Sequence, residues 1–194
     1  MAPLKIGLTG GIAAGKSEAL KAFGRLGAAT LSSDVVVHEL LEGDELRTRL
    51  EDRWGRDVVA VDGSVNRAKI GEIVFADPDE LTWLESQIHP LVQERTAAWL
   101  LSLPAETEVA VVEVPLLFEV GGDRPFDATV AVVTADEVRR ERAAARGHAL
   151  VDEREARQLT QPEKAERADH IVENNGSVED LEGALSALLA KLRR

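Results

Sequence analysis

Residues 7–17 read GLTGGIAAGKS. Gly10, Gly15, Lys16 and Ser17 stand in the spacing G-x-x-x-x-G-K-S, the pattern of a phosphate-binding loop. Glycine lets the backbone curl tightly, so successive N–H groups can converge on one anion. In such a loop Gly11, Ile12, Ala13, Ala14 and Gly15 supply backbone to the cradle. The Lys16 ammonium reaches the β- and γ-phosphates of a nucleotide, and the Ser17 hydroxyl meets Mg²⁺. The following helix adds its positive N-terminal end. The plain alternative is a Gly-rich turn between a strand and a helix.

The flanks favour the phosphate loop. Residues 4–8 form a short apolar run that predicts a strand. Residues 17–26 carry Ala19, Leu20, Phe23 and Leu26 at helical spacing. Strand, Gly-rich loop and helix is the context that separates the motif from a chance match.

Composition bounds the rest. The chain has 194 residues, enough for one domain with a small inserted lobe, and 44% of them are hydrophobic, enough for a full core. It has no cysteine, which excludes disulfides, thiolate metal sites and cysteine nucleophiles and suits a reducing compartment. No signal-peptide pattern and no apolar run of membrane-spanning length occurs, so a cytoplasmic protein without membrane contact is expected. The formal net charge of −12 disfavours a nucleic-acid partner. A small anionic substrate stays compatible with it where basic residues concentrate, as at Arg139, Arg140, Arg142 and Arg146. A monomer or small homo-oligomer is expected.

Along the chain, residues 28–31 predict a second strand, with Asp34 just beyond its carboxyl end. That is the zone where open α/β sheets bind ligands. Asp34 also opens a helical pattern, so catalysis and helix capping both stand open for it. A helix is expected over 45–54, and a tight turn at Asp62-Gly63 between apolar residues. Asn66 should cap a helix over 67–75. Another helix opens at Asp77-Pro78, and a kink or break is expected at His89-Pro90. The tryptophans Trp54, Trp83 and Trp99 are most simply core. Residues 108–114, EVAVVEV, read as a buried parallel strand, and 128–133 as the next. Helices are expected over 135–146 and 152–159, a last strand at 171–172, and a C-terminal amphipathic helix capped by Ser177. Alternating strands and helices imply an α/β fold, a parallel sheet covered by helices on both faces.

Several segments together resemble the dephospho-CoA kinase family over nearly the whole chain. They are GLTGGIAAGKS at 7–17, SSDVVVHEL at 32–40, NRAKIGEIVF at 66–75, IHPLV at 88–92, EVPLLFE at 113–119, ERAAARG at 141–147 and KAERADHIVENNG at 164–176. The resemblance implies a P-loop nucleotide-kinase-type sheet with a helical substrate lobe and a mobile lid. It implies transfer of the ATP γ-phosphate to the ribose 3′-hydroxyl of dephospho-CoA, with Mg²⁺. On that basis residues 1–59, 106–134 and 168–194 form the nucleotide core, 60–105 the substrate lobe and 135–167 the lid. Asp34 matches the aspartate near the acceptor hydroxyl. Arg142 and Arg146 match lid arginines, and Gln158 a glutamine that follows them. Arg67, His89 and Leu116 join Asp34 as substrate contacts, and Glu113 joins Ser17 as a metal-site residue. The family usually has glycine at the position of Ala13 and often a second aspartate at that of Ser32, which leaves Asp34 as the segment's only carboxylate.

Each role has a plainer alternative. Arg142 and Arg146, four residues apart, share one helix face and suit a closing lid, or they pair with Asp136, Glu137 or Glu141 in solvent. Arg139 and Arg140 are read as such a solvated surface. Glu113 reaches a metal-bound water or is a strand-end charge facing solvent. His89 binds substrate or merely precedes the helix-breaking Pro90. Arg67 binds substrate or forms a surface ion pair. Two other functions compete, a nucleoside monophosphate kinase and a nucleotide-dependent switch.

Overall fold

Short, largely apolar runs pair as one parallel sheet. The structure, a computed structural model, describes residues 2–145 and 158–193. In chain order its elements are β1 (Leu4–Gly10), α1 (Lys16–Arg25), β2 (Ala29–Ser32), α2 (Ser33–Glu42), α3 (Asp44–Trp54), α4 (Arg67–Ala76), α5 (Pro78–Ser102), β3 (Val109–Glu113), β4 (Ala128–Val133), α6 (Asp136–Ala145), α7 (Gln161–Arg167), β5 (His170–Glu173) and α8 (Val178–Leu192). The strand order is β2-β3-β1-β4-β5, with every pairing parallel.

The chain divides into two units: residues up to Ser32 with those from Leu103 onward, and Ser33–Ser102. In the first, the side chains of β1 alternate. Ile6 and Leu8 enter a core with Ala22 and Phe23 of α1 and Leu181, Leu185 and Leu189 of α8. On the other face Gly7 leaves room for the Phe126 ring, which a Cβ would meet at 2.7 Å. Ser177 caps α8 through a reciprocal pair with Asp180. A helix at 161–167 was not expected, because Pro162 read as a terminator. Proline is tolerated in a first helical turn, and Thr160 and Glu163 form a capping box around it. The helix expected over 152–159 lies mostly outside the described residues.

The second unit is helical. Its apolar centre is Val36, Leu40, Leu46, Leu50, Val58, Ile70, Val74 and Leu84. Asn66 caps α4 by accepting from the Lys69 N–H at 3.1 Å. The Asp62-Gly63 turn closes a single antiparallel bridge between Val59 and Val65, with Gly63 at φ 85°. Two expectations need correction. The helix does not break at Pro90: α5 runs unbroken from Pro78 to Ser102, packed against α2 and α4. Proline removes one backbone donor there, a local loss that tertiary packing along a long helix outweighs. The tryptophans are half-buried rather than core. Trp54 meets Trp83 edge-on at 5.0 Å, and its indole N–H donates to Glu80 at 2.7 Å, a polar demand that keeps it at the edge.

Candidate active site

The loop after β1 has the geometry its sequence predicts. Ala13 lies at φ 60° and Gly15 at φ 94°, so left-handed residues flank Ala14 and curl the chain. Ala13 adopts this conformation with a Cβ, at a cost of about 1–2 kcal/mol relative to glycine's freedom. Gly10 needs its missing Cβ, since one would strike the Val132 carbonyl oxygen of β4. Lys16 opens α1, and its ammonium folds over the loop to the carbonyls of Gly10 (3.1 Å) and Gly11 (2.9 Å). Ser17 follows, exposed at the positive end of the helix.

The loop rests on polar groups from the neighbouring strand ends. Ala14 O accepts from the Thr134 hydroxyl and from the Asn174 amide, both at 2.9 Å. The Gln161 side chain pairs with both main-chain groups of Thr134, accepting from N–H at 3.0 Å and donating to O at 2.8 Å. A cleft of about 500 Å³ opens beside Gly11 and Ile12, walled by Thr134, Arg139, Gln158 and Gln161. Lys164, on α7, is fully buried. Its ammonium pairs with Glu119 at 3.0 Å, and the same Glu119 oxygen accepts the Leu159 N–H at 2.9 Å.

The first unit also holds Arg142, Glu113 and Leu116. Arg142 is half-buried on α6 and donates to the Asn174 carbonyl at 3.0 Å, next to Gly15, rather than pairing with acids in solvent. Arg139 was read as plain surface. It does pair with Asp136 at 3.3 Å, but its side chain is only 23% exposed and faces the cleft. Arg146 lies outside the described residues. Glu113 ends β3 at 4% exposure, which removes the reading of a solvent-facing charge. Leu116 is half-buried in the turns after β3.

The second unit holds Asp34, Arg67 and His89. Asp34 is exposed in the first turn of α2, which begins one residue earlier, so it does not occupy the capping position. Arg67 opens α4 and rests on the His38 imidazole of α2 rather than on an acid; the other His38 nitrogen faces Glu42 at 3.3 Å. His89 is half-buried in mid-α5. Sequence reasoning missed Thr134, Asn174 and Gln161. Only Asn174 carried a signal, as part of the Asn-Asn-Gly segment.

No group of three or more metal-ligating acids or histidines occurs among the described residues. Mg²⁺ keeps its waters and is held by one or two protein oxygens plus nucleotide phosphates. Ser17 at the head of α1 and the buried Glu113 carboxylate at the end of β3 are of the right chemistry. No helix among the described residues is long and apolar enough to cross a membrane.

A family model described as Dephospho-CoA kinase matches residues 4–180. The dephospho-CoA kinase of Syntrophotalea carbinolica is 36% identical over 196 residues, covering 97% of this chain and 92% of that protein. The solved dephospho-CoA kinase of Campylobacter jejuni superposes with a TM-score of 0.72 at 25% identity, covering 98% of this chain and 97% of that one. A Thermus thermophilus crystal structure superposes with a TM-score of 0.82 at 33% identity, covering 99% of each chain. With a nucleotide-binding loop at the carboxyl end of a parallel sheet and a family match from the first strand to the last helix, this chain belongs to the dephospho-CoA kinase family.

Proposed function

We infer that the protein transfers the γ-phosphoryl group of ATP to the ribose 3′-hydroxyl of dephospho-CoA, giving coenzyme A and ADP in the last step of coenzyme A biosynthesis. The observation that carries the reading is the curled G-x-x-x-x-G-K-S loop at the end of β1, in a chain whose full-length relatives are dephospho-CoA kinases.

The mechanism follows from where charge develops. Phosphoryl transfer passes through a loose transition state with charge spread over the transferred oxygens, so positioning and electrostatics carry most of the catalysis. Lys16, the loop amides from Gly11 to Ser17 and the N-terminal end of α1 offset charge on the β- and γ-phosphates. Lys16 leaves the carbonyls of Gly10 and Gly11 to do so. Asp34 orients the 3′-hydroxyl and accepts its proton. The hydroxyl oxygen bonds to the γ-phosphorus as the bond to the β-phosphate oxygen breaks, and ADP departs with that oxygen. Arg142 and Arg146 add positive charge at the transferred group from the lid. Arg67, His89 and Leu116 hold the acceptor. Ser17 and Glu113 would hold Mg²⁺, which supplies further charge neutralisation at the phosphates.

The acceptor lobe is assigned to residues 60–105, most of which fall in the helical unit Ser33–Ser102. The lid spans 135–167. A cytoplasmic monomer or small homo-oligomer fits this chemistry. The test is ADP release from Mg·ATP without acceptor, with AMP and with dephospho-CoA. Turnover that needs dephospho-CoA supports the reading, and turnover indifferent to it sinks the reading.

A further inference from the structure

We propose that Thr134 and Asn174 are positioning residues of the phosphate loop, setting affinity for the nucleotide rather than the rate of transfer. The proposal rests on the reading of that loop as the ATP site.

Both lone pairs of Ala14 O are taken by side chains, the Thr134 hydroxyl and the Asn174 amide, each at 2.9 Å. Both donors are nearly fully buried, Thr134 at 2% exposure and Asn174 at 6%. The peptide joining Ala14 to Gly15 is planar and trans, so its C=O and N–H point in opposite directions. Holding the carbonyl down toward β4 and β5 therefore aims the Gly15 N–H up, toward the concave side of the loop. A free loop would have to pay this orientation on binding; a held loop does not.

Neither side chain is needed to place its own backbone. The Thr134 N–H and C=O are already held by the Gln161 amide. The Asn174 N–H already donates to Val133 O at 2.8 Å. The two side-chain donors are thus additional, and both converge on one loop carbonyl. Asn174 packs so close under the loop that a Cβ at Gly15 would strike its amide nitrogen. Its backbone carbonyl holds Arg142 at 3.0 Å, a bond that a side-chain substitution leaves in place. The Thr134 proton is shared with Asn174 O at 3.2 Å, the longer of its two contacts.

The experiment compares wild type with Thr134→Val, Thr134→Ser and Asn174→Ala. It reads the ADP dissociation constant by calorimetry, KM for ATP and for dephospho-CoA, kcat, and the thermal midpoint. Valine keeps the shape and loses the donor; serine keeps the donor. We expect Thr134→Val and Asn174→Ala each to weaken ADP and raise KM for ATP about five- to tenfold. KM for dephospho-CoA should stay unchanged, and Thr134→Ser should behave as wild type. A folded Thr134→Val or Asn174→Ala protein with wild-type ADP affinity overturns the proposal, even if its thermal midpoint falls. Equal rises in both KM values overturn it too. Should Thr134→Val not fold, Asn174→Ala alone decides. Wild type that binds no ADP is a different result: it overturns the reading of the loop itself.

Discussion

The two units deploy their polar and charged groups in opposite ways. Around the phosphate loop the polar groups are buried or half-buried and held by specific partners: Thr134 and Asn174 on Ala14 O, Gln161 on Thr134, Lys164 on Glu119. In the unit Ser33–Ser102 the charges lie at the surface, as in the His38–Glu42 pair and the Arg53–Glu80 pair at 2.8 Å. Buried, satisfied networks rigidify, whereas exposed pairs contribute little to stability and leave side chains free to turn toward a ligand. On the function proposed above, the phosphates of ATP call for a preformed cradle, and a helical unit that takes the acceptor must grip a long, flexible molecule. The difference in construction follows that difference in ligand.

Substitutions at the two ends should therefore fail differently. Asp34→Asn is expected to lower kcat ~10²–10⁴-fold, with ADP affinity unchanged. Steady-state kinetics beside calorimetry checks this, and a parallel loss of ADP affinity would merge two ends that are kept apart here. Lys16→Ala should lower kcat/KM ~10²–10³-fold and, unlike Asp34→Asn, weaken ADP binding as well. Trp54→Ala removes the edge-on contact with Trp83 and the indole bond to Glu80. It should cost about 2 kcal/mol in urea unfolding while sparing ADP affinity. Ala13→Gly should raise stability by about 0.5–1 kcal/mol, because relief at φ 60° outweighs the extra chain entropy of glycine. A destabilised Ala13→Gly protein would contradict the strained loop.

The smallest effect is one of pH. The Thr129 hydroxyl and N–H, at 2.7 and 2.8 Å, hold the Asp169 carboxyl below the usual carboxylate range. A carboxylate so lowered contributes stability that is complete above its unfolded value, near pH 3.9, and is lost as pH falls through the lower folded one. Asp169→Asn should lower stability near pH 7, where the carboxylate's contribution is complete, and flatten the acid limb of the stability curve below about pH 4, where the variant and wild type converge.

The nucleotide end was legible because its signal is contiguous. The β1 run, four fixed loop residues and the α1 pattern sit within one short stretch, and β3 and β4 are nearly continuous apolar runs. The loop's supports were not legible. Thr134 and Asn174 lie 120 and 160 residues from Ala14 in sequence, and a polar residue at a strand end reveals its partner only when the sheet is assembled. Two signals were present but outweighed. Thr160-x-x-Glu163 is a capping box, overlooked beside Pro162. Pro90 was given more weight than the packing that carries α5 past it. For Glu113, burial depends on neighbours on both sides of β3, which no local pattern records.

The most direct measurement follows ADP release and the phosphorylated product together, with Mg·ATP, dephospho-CoA and wild-type protein. The account predicts ADP release that requires dephospho-CoA and equals, mole for mole, a product phosphorylated on the ribose 3′-oxygen. ADP release that dephospho-CoA does not stimulate, or phosphate found on AMP instead, would contradict it.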